Sequence, residues 1–343
     1  MNFLTIHFLE LFILTVSKIN TQAKTIHQNI DIKGDAGLSK VVTEEIQQEN
    51  QLARPRRSVV SVTIPPCYNP FFASNQPPSG FRLNYANIRY ICQQVPGKTV
   101  ELYSTMFDID YRIPIYSAYV VKQAQAALIG TATRLDEWRK ETGIGNNQAS
   151  EEAYTGQKTY AKGHLLPAET YSFNDNSINS TFTYTNAVPQ IRTFNSGVWA
   201  QYERKIRDYA KTTCSTNGGD LYLITGISEA KIQNPGGVLA AIQEPLKRLR
   251  PSGDAVSIPK SMWTAGCCIV PAKGAVGAFA VIGNNLQDKN KVLMSQVEMA
   301  VLQGFLLIGV NGFGGPAINL FPGNPGCSNP VNKVNFLKRP APE

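Results

Sequence analysis

Histidine is nearly absent from this chain: there are three in 343 residues, His7, His27 and His164. That scarcity excludes sites built from several imidazoles, such as His-cluster zinc centres, and leaves few partners for a Ser-His or Cys-His nucleophile. No nucleophile-elbow motif surrounds the serines. No C-x-x-C spacing occurs, so the six cysteines (Cys67, Cys92, Cys214, Cys267, Cys268 and Cys327) are read as disulfide formers rather than zinc ligands. Cys67 and Cys92 are taken as a local pair, and the adjacent Cys267 and Cys268 are expected to find different partners. Long apolar runs are missing too. The stretch over 3–16 is interrupted by Glu10, the stretch over 299–310 by Gln303 and Gly304, and both fall short of the roughly 20 residues of a membrane span. Stable membrane insertion is therefore not expected, and no internal repeat is visible.

What is present describes a globular protein. Hydrophobic residues make up 43% and charged residues 17%, in a chain long enough for one large domain or two small ones. Lys and Arg outnumber Asp and Glu by 33 to 25, and the net charge of +8 favours a polyanionic partner: nucleic acid, anionic lipid or sulfated sugar. Residues 1–23 read as a secretory signal, apolar and then small. Residues 24–57 are polar and end in Arg54-Pro55-Arg56-Arg57, the pattern that furin-type convertases cut. The expected organisation is a signal, a pro-segment released by a processing protease at Arg57, a main domain over 58–321 and an irregular tail over 322–343. The expected location is outside the cell. Patterning predicts strands over 99–103, 115–122, 181–185, 221–227 and 275–282, and helices over 194–212 and 295–308, a mixed α+β set.

With the first two segments removed, His164 is the sole histidine. It stands in Tyr160-Ala161-Lys162-Gly163-His164-Leu165-Leu166-Pro167. Gly163 allows a close backbone turn beside the imidazole, and Lys162 offers a positive charge suited to a phosphate oxygen. Further on, Asn195, Trp199, Glu203 and Arg207 recur at every fourth position, which on a helix gives one slowly drifting face. An amide oxygen, a carboxylate and a guanidinium on one stripe suit Mg²⁺, which prefers hard oxygen ligands and keeps its waters. Asn195 also suits a helix N-cap and Glu203 an ion pair with Arg207.

These motifs resemble the DNA/RNA non-specific endonucleases, and among them the animal endonuclease-domain-containing proteins. The family signature is D-R-G-H, then about thirty residues later N-x-x-x-W-x-x-x-E. It is matched here by Ala161-Lys162-Gly163-His164 and by Asn195, Trp199 and Glu203. Arg112-Ile113-Pro114-Ile115-Tyr116-Ser117-Ala118-Tyr119 and Asp136-Glu137-Trp138 are similar to upstream elements. Leu223-Ile224-Thr225-Gly226 and the stretch over 258–268 are similar to later ones, so the likeness runs from about Cys67 to about Gln303. The family's Asp is replaced by Ala161 and its Arg by Lys162, which keeps the charge but loses the bidentate fork.

The resemblance implies a ββα-metal (His-Me finger) fold with a mixed or antiparallel sheet core flanked by helices. It implies a metal-dependent endonuclease acting on DNA and RNA with little sequence preference. In that frame His164 is the general base, Asn195 holds Mg²⁺ (or Mn²⁺), and Glu203 orients water around the ion. Lys162, Arg112 and Arg207 meet the phosphate charge, and Asn186 contributes to substrate binding and the orientation of the site. The alternative is a secreted nucleic-acid-binding protein on the same fold with weakened catalysis. The sequon Asn179-Ser180-Thr181 suits glycosylation if its turn is exposed.

Overall fold

The computed structural model describes residues 58–81, 86–95, 97–233, 240–243, 247–249, 255–287, 294–308 and 316–336. The expected signal, the pro-segment, the Arg57 cleavage point, His7 and His27 lie outside them.

The strands in chain order are β1 Val59–Ser61, β2 Ile88–Gln94, β3 Glu101–Asp108, β4 Ile113–Val121, β5 Tyr160–His164, β6 Ala187–Ile191 and β7 Asp220–Ser228. They continue with β8 Ala230–Gln233, β9 Ala240–Gln243, β10 Lys247–Arg248, β11 Ser257–Ile258, β12 Ser261–Val270, β13 Gly274–Asn284 and β14 Met294–Val297. Eight of them form one sheet in the order β1-β2-β3-β4-β7-β12-β13-β14, and every neighbouring pair is antiparallel. The fold is α+β.

The middle of the sheet is covered on both faces, and β4 is buried along its whole length. Alternation on β4 assigns each face its work. Tyr116 points to an aromatic cluster with Phe72 and Phe81, and its hydroxyl accepts a hydrogen bond from Tyr68 at 3.2 Å. Ser117 and Tyr119 point the other way, to Asn186 and Tyr171. That second face carries the two-stranded ribbon β5–β6.

Three disulfides staple the unit: Cys67–Cys92, Cys214–Cys268 and Cys267–Cys327. The local pair and the split partners of the adjacent cysteines are both as expected, and the strand period explains the split. Cys267 and Cys268 project from opposite faces of β12, one toward the C-terminal segment and the other toward the end of the helix that carries Cys214.

Three expected elements differ. The run over 181–185 is rich in β-formers, yet it pairs at one point only, Thr183 with Arg139. The Arg139 guanidinium also holds the carbonyls of Asn179 and Ser180, and a 3-10 turn follows at Tyr184–Asn186. β-Propensity without an extended neighbour does not make a strand. The helix expected over 295–308 begins only at Met299, because Met294–Val297 pairs with the free edge of β13. The long helix runs over 192–214 but contains π turns at Asn195–Trp199 and Ala210–Cys214. Gly197, at φ −100° and ψ −115°, leaves helical geometry inside the first of these. Among the described residues no helix is long and apolar enough to cross a membrane.

Candidate active site

The ribbon places His164 at its end, opposite Ala187. Gly163 serves the close packing of the ribbon. A Cβ there would lie 2.1 Å from Gln190 Oε1 and 2.5 Å from Gln190 Cβ, so only glycine lets the two strands meet. Beyond His164 the chain is fixed by Asn186. Its Oδ1 accepts from Leu166 N and from Ser117 Oγ, both at 2.9 Å. Its Nδ2 donates to the Leu166 and Thr181 carbonyls at 3.1 and 3.0 Å. Asn186 is fully buried with its amide saturated. It therefore orients the turn after His164, and it lies outside the cavity lining with its side-chain amide groups already bonded within the protein.

The imidazole sits between two rings, Trp138 at 4.7 Å and Phe182 at 4.8 Å between centroids. Its Nε2 is buried and has no hydrogen-bond partner among the described residues. Burial pulls its pKa down to about 3, helped by the positive charges of Arg134 and Lys162 and opposed by Asp136. Lys162, two residues earlier on the same face of β5, places its ammonium 5.3 Å over the Trp138 ring. The same ammonium lies 2.6 Å from Glu151 Oε2, to which the Tyr184 hydroxyl donates at 3.0 Å. Lys162 holds the Glu151 carboxyl below its usual range.

The long helix supplies Asn195 and Glu203. The even four-residue stripe is broken by the π turn, a feature common where helices carry function. Trp199 is fully buried against Phe194 and Tyr202, while Asn195 and Glu203 face the ribbon side. Burial pushes the Glu203 carboxyl up to about 7, with Arg207 and the nearby Trp199 indole opposing; that indole N–H falls outside hydrogen-bonding geometry.

A cavity of about 550 Å³ lies between ribbon and helix, and His164, Lys162, Asn195 and Glu203 all line it. Two arginines that pattern reasoning missed, Arg134 and Arg192, line it as well, with Glu151 and Glu169. Arg134 comes from irregular chain, so no periodicity announces it. Arg192 follows directly on β6, and its place beside a site-bearing ribbon was the available signal. Two other expected residues do not reach the cavity lining. Arg112 occupies the β3–β4 turn at φ 56°, where Ser257 N binds the neighbouring Tyr111 carbonyl. Arg207 lies one helical turn beyond Glu203 and acts on its charge from outside the cavity. Asn179 of the sequon closes a short helix and its Oδ1 accepts from Leu135 N at 3.3 Å, while Thr181 is fully buried. The turn is thus packed rather than exposed.

The profile described as DNA/RNA non-specific endonuclease matches residues 84–303. Endonuclease domain-containing 1 protein of Mus musculus is 25% identical over 248 residues, covering 66% of this chain and 44% of that protein. Its counterpart from Homo sapiens is 25% identical over 229 residues, covering 61% and 40%. The chain thus spans less than half the length of these two relatives. A solved chain from a crystal structure of the EndoG/EndoGI complex is similar at 16% identity and a TM-score of 0.49, covering 61% of this chain and 82% of that one. With the family profile spanning well over half of its length, this chain belongs to the DNA/RNA non-specific endonuclease family.

Proposed function

We propose that this protein is a secreted, metal-dependent endonuclease that hydrolyses phosphodiester bonds of DNA and RNA with His164 as general base. One observation carries the reading: His164, whose buried Nε2 has no hydrogen-bond partner among the described residues, lines the same cavity as Lys162, Asn195 and Glu203.

A divalent ion fits the donor set. The Asn195 amide oxygen and the Glu203 carboxylate are hard ligands on one cavity wall. Among the described residues no three His, Cys, Asp or Glu side chains gather into a metal cluster. Such a site suits an ion that keeps most of its waters, Mg²⁺ or Mn²⁺, with Asn195 as the direct ligand. When bound, the ion would neutralise charge on the phosphate and on the leaving oxygen.

The chain's own groups do the rest. His164 is neutral near pH 7, as a base must be, but an imidazole held near 3 accepts protons weakly. A phosphate drawn into the cavity adds negative charge against Arg134 and Lys162 and raises that proton affinity, so substrate itself strengthens the base. Lys162 exchanges Glu151 for a phosphate oxygen. Glu203 orients water on the helix side. Contacts of this kind address the backbone of nucleic acid, which gives little sequence preference. The three disulfides support folding in an oxidising compartment.

Degradation of plasmid and RNA with Mg²⁺ or EDTA, beside His164→Ala, tests this reading. Mg²⁺-dependent cleavage that falls at least ~10²-fold in the variant is expected, the scale for loss of a general base. Binding without turnover by folded protein would favour the second reading, a nucleic-acid-binding protein. The ion pair that occupies Lys162, and Ala161 in the place of the family's Asp, speak for it.

A further inference from the structure

The cavity extends past the groups that hydrolysis needs. Tyr160, Lys162 and His164 alternate on β5 and therefore share one face, and all three line the cavity. At about 3.3 Å rise per residue, successive members of this row stand roughly 6.6 Å apart. That matches the spacing of successive nucleotides along an extended strand. Lys162 in the middle offers a cation for a phosphate, and Tyr160 ends the row about 13 Å from His164 on the same rise. The Tyr160 ring is partly buried against the core. Its hydroxyl is unbonded among the described residues, and burial alone raises its pKa.

One more group marks this end of the cavity. Tyr160 pairs with Ile191 across the ribbon, so Arg192, the next residue, stands beside it and also lines the cavity. Its guanidinium donates to the Gln157 carbonyl at 3.2 Å and has further N–H donors beyond that bond. An aromatic face and a guanidinium at one end of a concave space are what a nucleobase uses: a stacking surface and a polar edge contact.

We propose that Tyr160 and Arg192 form a nucleobase subsite for a nucleotide neighbouring the scissile phosphate. Single-stranded or locally unpaired nucleic acid is then the preferred substrate. The proposal rests on the endonuclease reading above and deepens it. A stacked base in a duplex can enter such a concavity only by leaving its stack, at a cost that a flexible strand avoids.

The test uses an end-labelled single-stranded oligonucleotide, the same strand annealed to its complement, and the same strand with one abasic residue. Cleavage is mapped bond by bond for the wild-type protein, Tyr160→Ala and Tyr160→Phe. Affinity for the strands is measured separately in His164→Ala, with and without Tyr160→Ala. The single strand is expected to be cut faster than the duplex, with weakened cutting at a bond near the abasic residue. Tyr160→Ala should lose about ten-fold on the intact strand, the scale of one base-aromatic stack, and lose its sensitivity to the abasic residue. Tyr160→Phe should keep both, because the ring remains. Equal rates on single strand and duplex would overturn the subsite, as would a Tyr160→Ala loss that persists unchanged at the abasic position. Either result would leave the endonuclease reading standing. If the folded protein neither binds nor cuts any of these strands, both readings fall together.

Discussion

At the scale of the residue, the site is set by what each charged group faces in the free protein. Glu151 is the clearest case. Its carboxylate sits on Lys162, the position that the proposed function gives to a phosphate oxygen. The pair is largely solvated on the Glu151 side, so it contributes little stability, at most about 1 kcal/mol. Glu151→Gln should therefore leave the melting temperature nearly unchanged and lower KM a few-fold, with kcat little altered, in steady-state cleavage assays. A raised KM would show instead that Glu151 positions Lys162. Two buried groups control the response to pH, with opposite signs. His164 stays neutral down to about 3 in the folded protein, while the unfolded imidazole takes a proton below its ordinary 6.5. Stability from His164 is thus lost as pH falls from 6.5 toward 3. Glu203 keeps its proton up to about 7 when folded, against 4.5 unfolded. Stability from Glu203 is full below 4.5 and lost as pH rises to 7. Over pH 4.5–6.5 the two offset each other. Glu203→Gln should make acid destabilisation steeper in that window, and His164→Asn should reverse the slope, as read from denaturation curves without added metal.

At the scale of the element, the ribbon and the long helix show what was readable and what was not. The positions proposed for the chemistry stand out in the sequence, because His164 is isolated and the Asn195–Glu203 spacing is regular. The way they face each other does not. A four-residue repeat predicts one even stripe only if the helix is uniform, and the π turn at Asn195–Trp199 interrupts it. Gly163 shows the same limit. Its need was visible, but the atom that requires it, on Gln190, lies 27 positions away across the ribbon. Both Gln190 side-chain amide atoms are buried and have no hydrogen-bond partner among the described residues. Gly163→Ala is expected to push β5 from β6, lower stability by about 1–3 kcal/mol as overpacking does, and reduce cleavage by moving His164. Combining it with Gln190→Gly should recover part of both losses. A thermal melt and a rate measurement on the single and double variants decide this. An unperturbed Gly163→Ala would show that the strands have slack.

At the scale of the whole molecule, the eight-stranded antiparallel sheet was only partly legible. Its central strands β4, β7 and β13 announce themselves as apolar runs, whereas the edge strand β14 hides at the start of a helical pattern and is defined by its partner. The cysteines carried more long-range information than any periodicity. Two neighbours on one strand had to reach different places, and they tie β12 to the helix end through Cys214 and to the C-terminal segment through Cys327. These links close loops of 54 and 60 residues, against 25 for Cys67–Cys92. Longer loops remove more entropy from the unfolded chain, and loss of a native disulfide typically costs about 2–5 kcal/mol. Cys214 is anchored at the end of the helix that also bears Asn195 and Glu203, so its bond to Cys268 secures that helix on the sheet. Replacing Cys214 and Cys268 together by Ala is therefore expected to lower both the unfolding temperature and metal-dependent turnover. Replacing Cys67 and Cys92 should lower the unfolding temperature less and spare turnover near 25 °C. Calorimetry and cleavage assays on the two double variants separate the outcomes. Equal loss of turnover in both would mean that the disulfides act on global stability alone, with no particular hold on the helix that faces His164.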